Sequence, residues 1–227
     1  MIIKKIDIND YYFHSIICGW ENSFYTLKGI LEKKEIESPK LLGIDKRFGC
    51  HDKDDICLSC NTDSKNMKRY ESSFELYLPR TLTLIIDKEF SKEHLVIKPK
   101  TITTKELFSN HKYIDKHYTN IYDEYRTKES ISIDYIKGIS IPYSNFINDP
   151  ITFMMFACED ILMDYYTSGL DPIIVKQILD LKNDNLSKIE RKRMLDNYLL
   201  KISELLKYSD TNIPIYNYEN NKKLILM

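Results

Sequence analysis

The strongest constraint on how this chain can fold is a change of hydrophobic rhythm near residue 149. Before it, apolar residues come in short runs rich in β-branched and aromatic types; after it, they come in stretches of helical length. Residues 11–17, 55–59, 74–78, 81–86, 93–98, 121–127 and 136–141 suit short strands. One helix interrupts them at residues 23–33, where Phe24, Leu27, Ile30 and Leu31 recur at helical spacing and Ser23 is a suitable N-cap. Residues 40–55 read as a polar loop, and 105–120 as an irregular or helical excursion. Pro150 then sits near a helix start, with helices expected over 151–166, 172–181 and 187–208. In the last of these Ile189, Arg193, Leu200 and Leu206 mix apolar and charged positions, so it is amphipathic, and the basic cluster 188–193 reads as its solvated face. The expected fold class is α+β: a strand-rich core over residues 1–148 and a helical extension over 149–227 packed on it.

Composition narrows the function classes. At 227 residues the chain is long enough for one domain with a core, and its apolar and aromatic shares of 43% and 12% are those of a globular protein. A formal net charge of -1 supplies no long-range field towards nucleic acid or an anionic membrane, so a nucleic-acid substrate would have to be held by a local patch. No apolar run approaches the roughly 18 residues of a membrane span, and the first residues lack the apolar stretch of a secretory signal. A cytoplasmic protein without a membrane partner is expected. Five irregularly placed Cys argue for reduced thiols rather than a disulfide framework.

Three segments carry the chemistry. The first is Tyr12-Phe-His-Ser-Ile16 with the helix that follows it, ending in Ile30-Leu-Glu-Lys-Lys34 and running on to Ser38. The second is Asp54-Asp-Ile-Cys-Leu-Ser59 leading through Lys65-Asn-Met-Lys-Arg69 to Tyr70. The third is Tyr122-Asp-Glu-Tyr-Arg-Thr127 followed by Ile136-Lys-Gly-Ile139. In this order they resemble the ADP-ribosyltransferase superfamily, in its diphtheria-toxin-like and poly(ADP-ribose) polymerase branch, over roughly residues 11–142. Two positions depart from that pattern: Lys34 stands where Gly is preferred, and Ile56 or Cys57 where the first of two ring-stacking aromatics is found.

The resemblance implies a split, twisted sheet that grips NAD, as substrate, between the His14 strand and the Glu124 strand. It implies that His14 holds a ribose hydroxyl, with Ser15 beside it at the nicotinamide amide, that Tyr70 stacks on the nicotinamide ring, and that Glu124 is the catalytic carboxylate. Each role suits its residue type. A neutral imidazole both donates and accepts, an aromatic face attracts the cationic ring, and a fixed carboxylate stabilises the oxocarbenium-like state formed as nicotinamide leaves. Arg47 and Arg69 are candidates for the pyrophosphate, because guanidinium matches phosphate oxygens. Tyr122 replaces the second Glu or Gln of arginine-modifying relatives and is expected to face the acceptor, a macromolecule (protein or nucleic acid) that the sequence does not identify. The biology implied is that of a toxin, defence or modification enzyme.

Blander readings stand beside these. His14 between aromatics is also what a hydrogen-bonded core histidine looks like, Glu124 beside Arg126 suits a solvated strand face, and Tyr70 suits packing. Cys50, His51, Cys57 and Cys60 are zinc-ligand types, but Cys57 lies inside an expected strand and no second pair follows at the usual distance, so no metal is expected. The rival enzyme is an RNA 2'-phosphotransferase, and the rival non-enzyme is a binding module, either a degenerate transferase fold or a zinc knuckle.

Overall fold

The apolar stretch at residues 82–87 becomes the middle strand of the main sheet. The structure is a computed structural model that describes residues 10–16, 19–38, 40–42, 54–59, 69–71, 74–76, 82–97, 124–157, 186–219 and 223–227. In chain order the elements of the first half are β1 (Tyr11–Ile16), α1 (Trp20–Lys33), β2 (Glu35–Ile36), β3 (Ile56–Ser59), β4 (Arg69–Glu71), β5 (Phe74–Leu76), β6 (Leu82–Asp87) and α2 (Phe90–Glu93). The second half supplies β7 (Glu124–Thr127), β8 (Ile131–Ser132), β9 (Ile136–Ile141), α3 (Tyr143–Asn148), α4 (Pro150–Ala157), α5 (Lys188–Tyr208), β10 (Ile215–Glu219) and β11 (Lys223–Leu226).

The seven-stranded sheet runs β11-β10-β9-β6-β1-β3-β7, while β2 pairs with β8 and β4 with β5 in two small separate sheets. All ladders of the large sheet are antiparallel except β9 with β10. Strands that run parallel need a crossover, and α3, α4 and α5 lie in the chain between these two. The fold is therefore mixed α+β, as the change of rhythm predicts.

Alternation along β6 feeds two cores. Leu82, Leu84 and Ile86 join the larger one with Leu27, Ile30 and Leu31 of α1, Phe146 and Phe153 of α3 and α4, and Leu195 and Ile202 of α5. Ile85 packs on the other side with Phe13 and Tyr216. A strand covered on both faces reads as a continuous apolar run, which is why β6 lacks the polar alternation of a half-exposed strand. Among the described residues no helix is long and apolar enough to cross a membrane.

Several boundaries and faces differ from expectation. Helix α1 starts at Trp20 with Gly19 as its N-cap, and Ser23 is buried inside it, its hydroxyl donating to the Trp20 carbonyl and sharing a 2.7 Å hydrogen bond with the hydroxyl of Tyr198. The apolar side chain of Trp20 draws the preceding turn onto the core, so the polar residue is satisfied by a distant partner instead of capping. Residues 93–98 begin in α2 rather than a strand, because Phe90 is fully buried and anchors a helical turn; among the described residues of this range Ile97 bridges, to Arg126.

Ser187 caps α5 through a capping box with Glu190, but Ile189 and Leu200 are exposed while Leu195, Tyr198, Ile202, Leu205 and Leu206 are buried. Arg191, read as part of a solvated face, is buried as well. It donates to the carbonyls of Ile147 and Leu186, satisfying the end of α3. The C-terminal third is helical over α3, α4 and α5, yet its last residues return to the sheet as β10 and β11. The expected excursion at 105–120 and helix at 172–181 lie outside the described residues.

Candidate functional site

Strand β1 places the first segment at the seam of the sheet. Tyr12 and Ile16 belong to the larger core and Phe13 to the smaller one. On one side β1 is laddered to β6 over all six residues, from Tyr11 opposite Asp87 to Ile16 opposite Leu82. On the other, among the described residues, it pairs with β3 at Phe13 opposite Ser59.

His14 sits beside that pair, and its Nδ1 donates to the Cys57 carbonyl at 2.8 Å. A carbonyl only accepts, so in the neutral ring the proton is on Nδ1 and Nε2 is the acceptor. The imidazole thus spans from β1 to the backbone of β3, half-buried in the seam. Ser15 shares a hydrogen bond with Thr83, Oγ to Oγ1 at 3.2 Å, and Thr83 is laddered to the buried Ser140 of β9. Hydroxyls from three strands thereby occupy one row.

Glu124 is the first described residue of β7, within the stretch 121–127 expected as a strand, and is described in its backbone alone. It is laddered to Ser59, so Phe13, Ser59 and Glu124 form one cross-strand row and His14 is one residue along from it. Arg126 is engaged on the strand itself. Its backbone exchanges two 2.8 Å hydrogen bonds with Ile97, and its guanidinium meets the Asp55 carboxylate at 3.3 Å, both side chains largely buried. This buried pair clamps β7 to the start of β3; removing one partner of such a pair costs about 3–5 kcal/mol. Tyr125 faces the larger core, its ring tilted against Tyr12 at 5.3 Å.

Arg69 and Tyr70 lie in β4, laddered to β5 with Tyr70 opposite Glu75, and are likewise described in the backbone alone. Arg47, Tyr122, Cys50, His51 and Cys60 lie outside the described residues. Among the described residues no group of three or more His, Cys, Asp or Glu is placed to hold a metal ion.

One titratable cluster has no counterpart in the sequence reading. His94 Nδ1 donates to Glu129 Oε2 at 2.7 Å, and Glu129 Oε1 accepts the Leu95 N–H at 3.0 Å. The imidazole stacks on Phe90 at 4.3 Å with an interplanar angle of 13°. Beside it the Tyr135 hydroxyl donates to Glu93 at 2.5 Å, and this bond raises the phenol's pKa. The hydrogen bond from His94, followed by that from Leu95, lowers the pKa of Glu129. His94 and Glu129 are 35 residues apart, so no local spacing could have paired them; only the bridge of Ile97 to β7 brings the two turns together.

The comparisons with known proteins decide no identity. Neither a protein family, nor a curated protein, nor a solved structure matches this chain.

Proposed function

We propose that the chain is an NAD-dependent ADP-ribosyltransferase whose nicotinamide-ribose site lies at the seam between β1 and β3. What supports this reading is the order of the three sequence segments and the nearness of their strands: in the row Phe13–Ser59–Glu124 one strand separates β7 from β1, a backbone spacing of roughly 10 Å across two ladder steps, while His14, next to Phe13, faces the other side of the sheet from that row.

In this reading the bond from His14 to the Cys57 carbonyl orients the imidazole, so that Nε2 accepts from a ribose hydroxyl. Glu124 stabilises the positive charge that develops on the ribose as the bond to nicotinamide breaks, and the acceptor's nucleophile then takes the ribose carbon. Electrostatic stabilisation of this kind carries a large share of the barrier reduction when the charge is held in place before reaction. Tyr70 stacks on the ring, Arg47 or Arg69 meets the pyrophosphate, Tyr122 faces a macromolecular acceptor, and no metal takes part.

The test is nicotinamide release from NAD by the purified protein, with ADP-ribose followed into protein and nucleic-acid fractions. Glu124→Gln is expected to lower turnover by about 100-fold or more with the circular dichroism spectrum unchanged, and His14→Ala to raise KM. Full turnover by Glu124→Gln, or no turnover by the wild type with any fraction, refutes the assignment.

A further inference from the structure

Trp20, the only tryptophan in the chain, stands in the first turn of α1 and forms part of the wall of a cavity of about 600 Å³ between α1 and α5. That volume falls in the range of small-molecule sites. The cavity lies between two helices that are pinned together beneath it by the buried hydrogen bond from Ser23 to Tyr198. Trp20 is itself braced, edge-on to Phe153 at 6.1 Å and tilted over Tyr198 at 6.3 Å. Its walls are therefore built from ordered elements.

The lining is aromatic with a few polar groups. Trp20 and Phe24 lie one turn apart on α1, Tyr25 is exposed at the rim, and Tyr198 and Met194 face them from α5. Rings and a thioether of this kind suit the faces and edges of a planar aromatic ligand. Asn197, exposed on α5, both donates and accepts, as the edge of a heterocycle requires. Glu21 and Lys201 bring one charge of each sign, so the cavity has no net attraction for a polyanion.

We infer that this cavity binds an uncharged heteroaromatic compound of nucleoside size, its ring against Trp20 and Phe24 and its polar edge on Asn197. The site is separate from the seam of β1 and β3 and does not depend on the reaction proposed there.

Because Trp20 is the sole tryptophan, its emission reports occupancy directly in the full-length protein. Adenosine, uridine, AMP and benzyl alcohol are titrated in turn. A saturable change with adenosine or uridine is expected, weakened about tenfold by Phe24→Ala and by Asn197→Ala, the loss typical of one stacking or hydrogen-bonding contact. Asn197 is exposed, so its variant keeps the fold. Absence of a saturable change with both nucleosides overturns the proposal. So does benzyl alcohol binding as tightly as the nucleosides, which makes the cavity merely apolar, or AMP binding more than about tenfold tighter, which makes it a phosphate site. Glu124→Gln is expected to leave the titration unchanged and Asn197→Ala to leave NAD cleavage unchanged, so the two readings fail separately. Loss of the adenosine signal in Glu124→Gln places adenosine in the other site and sinks the inference.

Discussion

Lys34 is held at φ 60°, ψ 24° where α1 gives way to β2, a left-handed conformation in which an L side chain crowds its own carbonyl at a cost of roughly 1–2 kcal/mol. Glycine has no such penalty, and the resemblance in the sequence prefers glycine at this position. Lys34→Gly is expected to stabilise the protein by about 1 kcal/mol, raising the urea midpoint with an unchanged m-value; a lower midpoint contradicts the strain argument. At this scale sequence reasoning located residues better than their partners. His14 and Ser15 fall on the expected strand and Glu124 lies within the expected one, but the Cys57 carbonyl and the Thr83 hydroxyl that engage the first two belong to strands 43 and 68 residues away. Ser23 and Arg191 show the same limit. Both carry polar groups, which local rules send to a cap or to solvent, and both are buried because a distant helix or carbonyl satisfies them.

Elements that local pattern specifies were legible, and those set by pairing were not. The apolar stretch of β6 and the helix at the start of which Ser187 stands are encoded within a few residues, and both form within a residue of where the pattern puts them. The stretch after β6 is decided by tertiary contact: Phe90 anchors α2, and the turn after β7 docks on it through Glu129 and His94. Folding lowers the pKa of Glu129, so the folded state binds fewer protons at this carboxyl than the unfolded chain does. Its contribution to stability is present above the ordinary glutamate range and is lost as pH falls through the lowered folded value. Glu129→Gln is therefore expected to flatten the acid limb of a Tm-against-pH profile, with the difference from wild type shrinking as the wild-type carboxyl is protonated. Parallel profiles for the two proteins through that limb leave Glu129 without the role given to it.

On the scale of the whole molecule, the closing step of the fold is the return of β10 beside β9 after the helices. Gly138 makes room for it. A Cβ at this position would lie 2.6 Å from Tyr216 Cε2 and 3.1 Å from Ile85 Cδ1, and Tyr216 is only 3% exposed, so its ring has little space to yield. Gly138→Ala is expected to destabilise the protein by about 1–3 kcal/mol through overpacking, read as a lower denaturation midpoint; a variant as stable as wild type shows that the ring can move. In the sequence this glycine reads as one more residue of the strand at 136–141, because nothing near it announces a tyrosine 78 residues later lying over the strand. By itself the sequence determined the α+β class, strands at the positions of His14 and Glu124 and the helix expected at 187–208, which forms over 188–208, because hydrophobic period acts within a few residues. Only the tertiary structure decided the strand order, the pairing of β1 with β3 beside His14 and the return of the last strands. Those depend on which distant backbones and side chains fill each other's space, and no local window of sequence contains both partners.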